Sequence, residues 1–124
     1  MIEVVYNRKR HKVTVKGHAR SGEAGHDLVC AAASALTYTL AANAENLRSG
    51  GQATKTVVRL DPGDAVIKCR TVDKYKCVVS VIFDAICAGY ELLARDYPEN
   101  ISYKLYKYNK KVLKNYLQNK KSVV

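Results

Sequence analysis

The sequence lacks the run of about 18 apolar residues that a membrane-spanning helix needs. Its first twelve residues, MIEVVYNRKRHK, also lack the uninterrupted apolar segment of a secretory signal. Both absences predict a cytoplasmic protein that makes no membrane contact. Because a reducing compartment does not maintain disulfides, the four cysteines, at positions 30, 69, 77 and 87, are expected to remain thiols.

Closely spaced cysteine pairs are absent as well. No two cysteines form a CxxC motif, and their separations do not match those of metal-binding sites. We therefore expect neither a metal nor another cofactor.

Acidic residues are missing after Glu99, whereas seven lysines follow it. The formal charge of +10 is therefore concentrated at the C-terminal end, since residues 1–99 carry fourteen basic and eleven acidic side chains. Residues 108–124 have a weak helical pattern and are predicted to form a basic tail, either a loosely held helix or a frayed end. Such a tail attracts RNA or other polyanions, or serves only as a solvated end.

Composition and length favour one globular domain, expected at residues 1–107. Tryptophan is absent, but 48% of the residues are hydrophobic and 26% are charged, which is ordinary for a folded chain. A chain of 124 residues is long enough to bury roughly two-thirds of its unfolded surface.

Hydrophobic periodicity predicts the element order β-β-α-β-β-α. Alternating apolar residues from Ile2 to Gly17 indicate one hairpin, and residues 55–71, around a DPGD turn, indicate a second. Asp27 is predicted to cap a long alanine-rich helix, and apolar three- and four-residue steps up to Asp96 predict another. With ISYKLYK as a fifth strand at an edge, we expect an α+β domain. Its mostly antiparallel four- or five-stranded sheet would carry both helices on one side.

Cys30 is the first candidate for chemistry. With Asp27 as cap, it would be the third residue of the helix, where free backbone N–H groups and the helix dipole stabilise a thiolate and an oxyanion. The alternative is a small buried residue of an alanine-rich helix. Cys77 is a weaker candidate because no neighbouring loop supplies it with a histidine, and Cys69 and Cys87 are expected in the core.

His18 is placed to serve Cys30. It ends a strand, and the predicted mobile loop of residues 17–26, with Gly17, Gly22 and Gly25, leads from it to the helix. A strand end and a helix start on one rim of an α+β domain commonly face one cleft. His11, in a polar turn, and His26, in the loop, are expected at the surface.

Two polar residues flank this pair. Asp27 either caps the helix or also orients the imidazole of His18. Ser34 lies four residues after Cys30, on the same helical face, where its hydroxyl supports the pair or bonds back to its own helix.

The residues around this pair resemble the ribosomal-processing cysteine protease family, Prp. The resemblance rests on Gly17-His18-Ala19, on the run GHDLVCAAASAL from Gly25 to Leu36, and on the twelve-residue step from His18 to Cys30. It implies that Cys30 is the nucleophile and His18 the general base, with Asp27 and Ser34 in supporting positions. It also implies a homodimer whose glycine loop closes over substrate.

The substrate implied by this resemblance is the N-terminal extension of ribosomal large-subunit protein twenty-seven, which contains neighbouring phenylalanines. A competing hypothesis is a non-enzymatic ribosome- or RNA-binding module that uses Tyr103, Tyr106 and Tyr108 among the lysines of the C-terminal end. A third is a catalytically silent dimerisation module with an unreactive Cys30.

Overall fold

The structure, a computed structural model, describes residues 1–18, 24–107 and 118, with residues 24–27 described by their backbone alone. Gly22 of the predicted loop, and the predicted basic tail apart from position 118, lie outside these residues. Five strands, two long helices and one short 3₁₀ helix follow one another along the chain. They are β1 (Ile2–Asn7), β2 (Lys12–Lys16), α1 (Ala24–Ser49), β3 (Lys55–Asp61), β4 (Asp64–Arg70), the 3₁₀ turn (Asp73–Tyr75), α2 (Lys76–Asp96) and β5 (Ile101–Tyr106).

The strands form one sheet in the order β3-β4-β2-β1-β5. Three neighbouring pairs are antiparallel, and β1 with β5 is parallel. The predicted α+β class, the element order and the mostly antiparallel sheet are confirmed, and ISYKLYK does supply the fifth strand. The pairing of β2 with β4 brings the β3–β4 turn beside the end of β2, where Lys16 stands opposite Asp64.

The core lies between one face of the sheet and the two helices. Residues of β1 and β4 alternate between buried and more accessible positions, as expected when one face of a sheet is covered more fully than the other. The largest fully buried side chains come from strands and both helices: Tyr6, Tyr90, Phe83, Leu40 and Ile67. The helices approach closely at Gly89 of α2, where a β-carbon would overlap the side chain of Leu36 on α1.

The predicted start of the first helix is wrong by one turn. The helix begins at Ala24, so Asp27 is its fourth residue and does not cap it. Alanine is the strongest helix former, and the first four backbone N–H groups of a helix need no carbonyl partner, so Gly25 is tolerated there. The predicted loop of residues 17–26 therefore cannot extend beyond position 23.

The prediction of a surface position for His11 is also wrong. The side chain is 3% exposed, its Nε2 lies 2.7 Å from the hydroxyl of Ser80, and its ring packs against Phe83. An imidazole can place its apolar face in a core while a nitrogen keeps a polar partner. Burial lowers the pKa of His11, and the charges of Lys76 and Arg8 act in the same direction.

The second helix ends at the predicted Asp96, but it is more apolar than the sequence prediction allowed. An 18-residue window within Asp73–Asp96 has a mean hydropathy of 1.8, so this stretch meets the length and composition test for a membrane-spanning helix. A core helix can meet the same test, and α2 buries Val79, Phe83 and Tyr90 against the rest of the domain. The opposite side of α2 carries the exposed apolar residues responsible for the high hydropathy.

Candidate active site

His18 and Cys30 both line one cavity of about 300 Å³. Its walls come from the end of β2, the first half of α1 and the turn between β3 and β4. Gly17 and Ser34 also line it, so the structure places four of the predicted site residues around one space.

His18 is held by its backbone at the end of β2. Gly17 precedes it with φ +94°, in the left-handed region that glycine adopts without strain, and donates its N–H to the carbonyl of Gly63 at 2.9 Å. The carbonyl of His18 accepts a hydrogen bond of 2.9 Å from the backbone nitrogen of Met1. Two chain segments therefore fix the backbone on either side of the imidazole-bearing residue.

The imidazole of His18 packs directly against the turn between β3 and β4. A β-carbon on Gly63 would overlap the ring, and Gly63 has φ +70°. Glycine is thus required here for two reasons, its backbone conformation and the space that the ring occupies. The hairpin turn serves as a support for the histidine.

Cys30 lies on the inner side of α1, in its second turn. Its side chain is half-buried, and the next residues on the same face, Ala33, Ser34 and Thr37, continue along the cavity. The Thr37 hydroxyl bonds with the carbonyl of Ala33 at 2.8 Å and with the hydroxyl of Tyr90 at 2.7 Å, which ties this face to α2. The nucleophile candidate is therefore carried by a well-packed helix.

The helix-start argument for Cys30 does not hold in its original form. Because α1 begins at Ala24, Cys30 is its seventh residue, and the amides without a helical partner lie at the helix start, more than three residues before it. The influence of the helix dipole falls off within the first turn. The backbone of Asp27 lies in that first turn. Its side chain is not among the parts that the structure describes, so a contact between Asp27 and His18 stays a prediction.

The other cysteines differ from Cys30 in environment. Burial raises the pKa of Cys69 to about 11 and that of Cys87 to about 12, so both keep their protons at neutral pH. Cys77 is exposed near the start of α2 and does not line the cavity. The predicted core positions of Cys69 and Cys87 are confirmed.

The β3–β4 turn is the part of the site that the sequence did not reveal. Leu60, Asp61, Pro62, Gly63 and Asp64 all line the cavity. The DPGD motif does predict a turn, but only the β2–β4 pairing places that turn beside His18. An exposed ion pair joins the two strands at the base of this turn, where the Arg59 guanidinium lies 2.8 Å from the Asp64 carboxylate.

Within the residues that the structure describes, no three histidine, cysteine or acidic side chains are grouped so that they could hold a metal ion.

Comparison with known proteins connects this geometry to one family. A family model for the cysteine protease Prp matches residues 1–102. A ribosomal processing cysteine protease Prp from Staphylococcus aureus is 29% identical over 89 residues, which make up 72% of this chain and 80% of the relative.

Solved structures agree with the sequence match. A crystal structure of Prp from S. aureus with a covalently linked product peptide has a TM-score of 0.64 and 27% identity, covering 85% of this chain and 99% of that one. Another, of the S. aureus protease with a substrate peptide, has a TM-score of 0.60 and 26% identity, covering 84% and 96%. The resemblance read from the sequence is thereby confirmed. The chain belongs to the cysteine protease Prp family and is a cysteine protease.

Proposed function

We propose that this protease removes the N-terminal extension of ribosomal large-subunit protein twenty-seven, with Cys30 as nucleophile and His18 as general base. The observation that carries the proposal is that both residues line one cavity, although they come from a strand end and a helix. The S. aureus relative is named for ribosomal processing. Because the substrate is a ribosomal protein, cleavage is proposed to take place in the cytoplasm.

The proposed mechanism is nucleophilic catalysis through a thioester. The Cys30 sulfur attacks the scissile carbonyl carbon, and His18 transfers the thiol proton to the leaving amine as the peptide bond breaks. Water then attacks the thioester, giving its proton to His18, and the carboxylate product leaves as the thiol of Cys30 re-forms. Ser34 is proposed to support this pair from the same cavity, and Asp27 from the first turn of α1.

The cavity suits a substrate with an aromatic side chain. Ile2, Val15 and Leu60 supply apolar surface beside the proposed catalytic pair. Burial of a phenyl ring contributes roughly 1.5–3 kcal/mol. A phenylalanine close to the scissile bond would therefore place the carbonyl near Cys30. Closure of the glycine loop over the bound peptide would exclude water from the thioester.

The substrate assignment predicts a single cut in one peptide. We expect the protein to cleave a synthetic peptide that copies the extension and its junction, as detected by mass spectrometry. Replacing the phenylalanines of the peptide with alanine should lower kcat/KM roughly 10- to 100-fold, because the lost apolar burial weakens transition-state binding. An unfolded casein serves as the control and should be degraded negligibly.

Equal turnover of the phenylalanine and alanine peptides would contradict the proposed substrate without contradicting the protease. Rapid degradation of casein would point to a general peptidase.

The proposed homodimer has a surface that suits it. On α2, Val78, Val81, Ala85, Ala88 and Leu92 recur at steps of three and four residues on the side opposite the core, and all are exposed. This is the spacing with which helices pair along an apolar seam. Val81 is 59% exposed and Leu92 is 50% exposed, so the described residues of a single chain leave this stripe uncovered. We propose that a second copy of the chain covers it.

The dimer proposal predicts that Val81→Glu yields a monomer. A carboxylate buried in an apolar seam lacks a compensating partner, so the dimer dissociation constant should rise at least about tenfold. Light scattering coupled to size exclusion measures the mass. Val57→Glu, at an exposed valine on β3, is the matched control and should leave the dimer intact. A wild-type protein that is monomeric at every concentration would refute the proposal.

A further inference from the structure

Basic side chains gather at the end of the sheet that lies away from the candidate active site. The strand register places Lys12 opposite Lys68 and Lys55 opposite Arg70, on three neighbouring strands. Arg10, from the β1–β2 turn, lies at the same end. Neighbouring strands are about 4.8 Å apart, so these cations are unusually close for side chains of one sign.

This end of the sheet forms a cleft of about 610 Å³. The cationic side chains that line it come from the β1–β2 turn, β4 and the start of α2: Lys9, Arg10, Lys68, Arg70 and Lys76. Thr54 and Thr71 add hydroxyl groups to the lining. The cleft shares no lining residue with the cavity of His18 and Cys30.

The cations of this cleft have little negative charge to balance them. Among the described residues that line it, only Asp73 is acidic. Elsewhere in the described part of the chain, arginines do form ion pairs with carboxylates, as Arg8 does with Asp84, but none of these pairs involves a cation of the cleft. Lys68 has a lowered pKa, caused first by desolvation and then by the charges of Arg70 and other cations nearby.

We infer that this basic cleft binds the phosphate backbone of RNA. Several cations brought together without counter-charges favour a partner with closely spaced negative charges, and each contact with a phosphate releases a bound counterion. The lining contains no large apolar side chain that could insert into a lipid layer. Such contacts position a nucleic acid without reading its sequence. The cleft would thus hold the protease near ribosomal RNA, independently of the basic tail.

The inference is tested with the full-length chain and a fluorescein-labelled single-stranded RNA of mixed sequence, about 12 nucleotides long. Anisotropy titrations at several salt concentrations give the slope of log K against log salt. Each phosphate contact contributes about −0.7 to that slope for a single strand. Lys68→Gln combined with Arg70→Gln should therefore make the slope shallower by about 1.4. The matched control, Arg48→Gln with Arg95→Gln, removes the same charge from exposed helix positions and should leave the slope unchanged.

Circular dichroism checks that the variants fold. Lys9→Gln with Arg10→Gln, both in the β1–β2 turn, is a second cleft variant, in case Lys68 also supports the sheet, and should have the same effect. Equal slopes for cleft and control variants would overturn the inference, because binding would then depend on the tail or on overall charge. Cleft variants that lose binding only to vesicles containing anionic lipid would also overturn it, in favour of a membrane. Peptide cleavage is measured in parallel and should be unchanged, so this inference and the proposed function can fail separately.

Discussion

Replacing Cys30 with alanine will lower cleavage of the extension peptide by at least about 10⁴-fold, the scale seen when a catalytic nucleophile is removed. Without the sulfur no thioester can form, and His18 alone has no attacking group to activate. The control is Cys77→Ala, which removes a cysteine that is exposed in the first turn of α2 and does not line the cavity. That variant should cleave at the wild-type rate.

The Cys30→Ala variant should remain folded. The side chain is half-buried, and alanine is favourable in a helix that already contains many alanines. Thermal unfolding should therefore shift by no more than a few degrees, and the variant should still bind the peptide. Retained cleavage by Cys30→Ala would eliminate this cysteine as the nucleophile. Loss of cleavage in Cys77→Ala as well would show that the assay responds to any cysteine substitution.

Local signals in the sequence were sufficient for most of the fold. Alternating apolar residues located β1 and β2, the DPGD turn located the second hairpin, and the three- and four-residue steps located α2. The parallel pairing of β1 with β5 was not visible, because residues 8–100 lie between the strands and no local pattern reports such a contact. The order of strands in the sheet depends on contacts between segments that are distant in the sequence, so it is a property of the whole chain.

The lining of the candidate site was predictable for residues close in the sequence and was missed where folding brings distant residues together. His18 and Cys30 are linked by a short segment, so their position at one cavity could be predicted from the sequence alone. The contact of Gly63 with His18 could not be predicted, because only the pairing of β2 with β4 brings the two residues together. The inward position of His11 was missed for a similar reason, because its partner Ser80 is 69 residues away.

Gly63→Ala will lower kcat/KM by about 100-fold, the cost expected when a catalytic group is misplaced by about 1 Å. The new methyl group would occupy the space of the His18 ring, so the imidazole must move away from its position in the cavity. The Gly63 carbonyl accepts the N–H of Gly17, so strain in the turn also reaches the backbone that carries His18. Peptide cleavage under single-turnover conditions measures the effect on chemistry.

Gly51→Ala is the matched control that separates this steric effect from backbone strain. Gly51 has φ +81°, similar to the +70° of Gly63, but no atom of the described residues lies within 4 Å of the position that its β-carbon would take. Both substitutions should destabilise the fold by about 1 kcal/mol, because alanine is strained in the left-handed region. Only Gly63→Ala should lose activity. If both variants lost activity in proportion to their stability, Gly63 would be a turn residue with no part in positioning His18; if neither did, the histidine would not need its present position for cleavage.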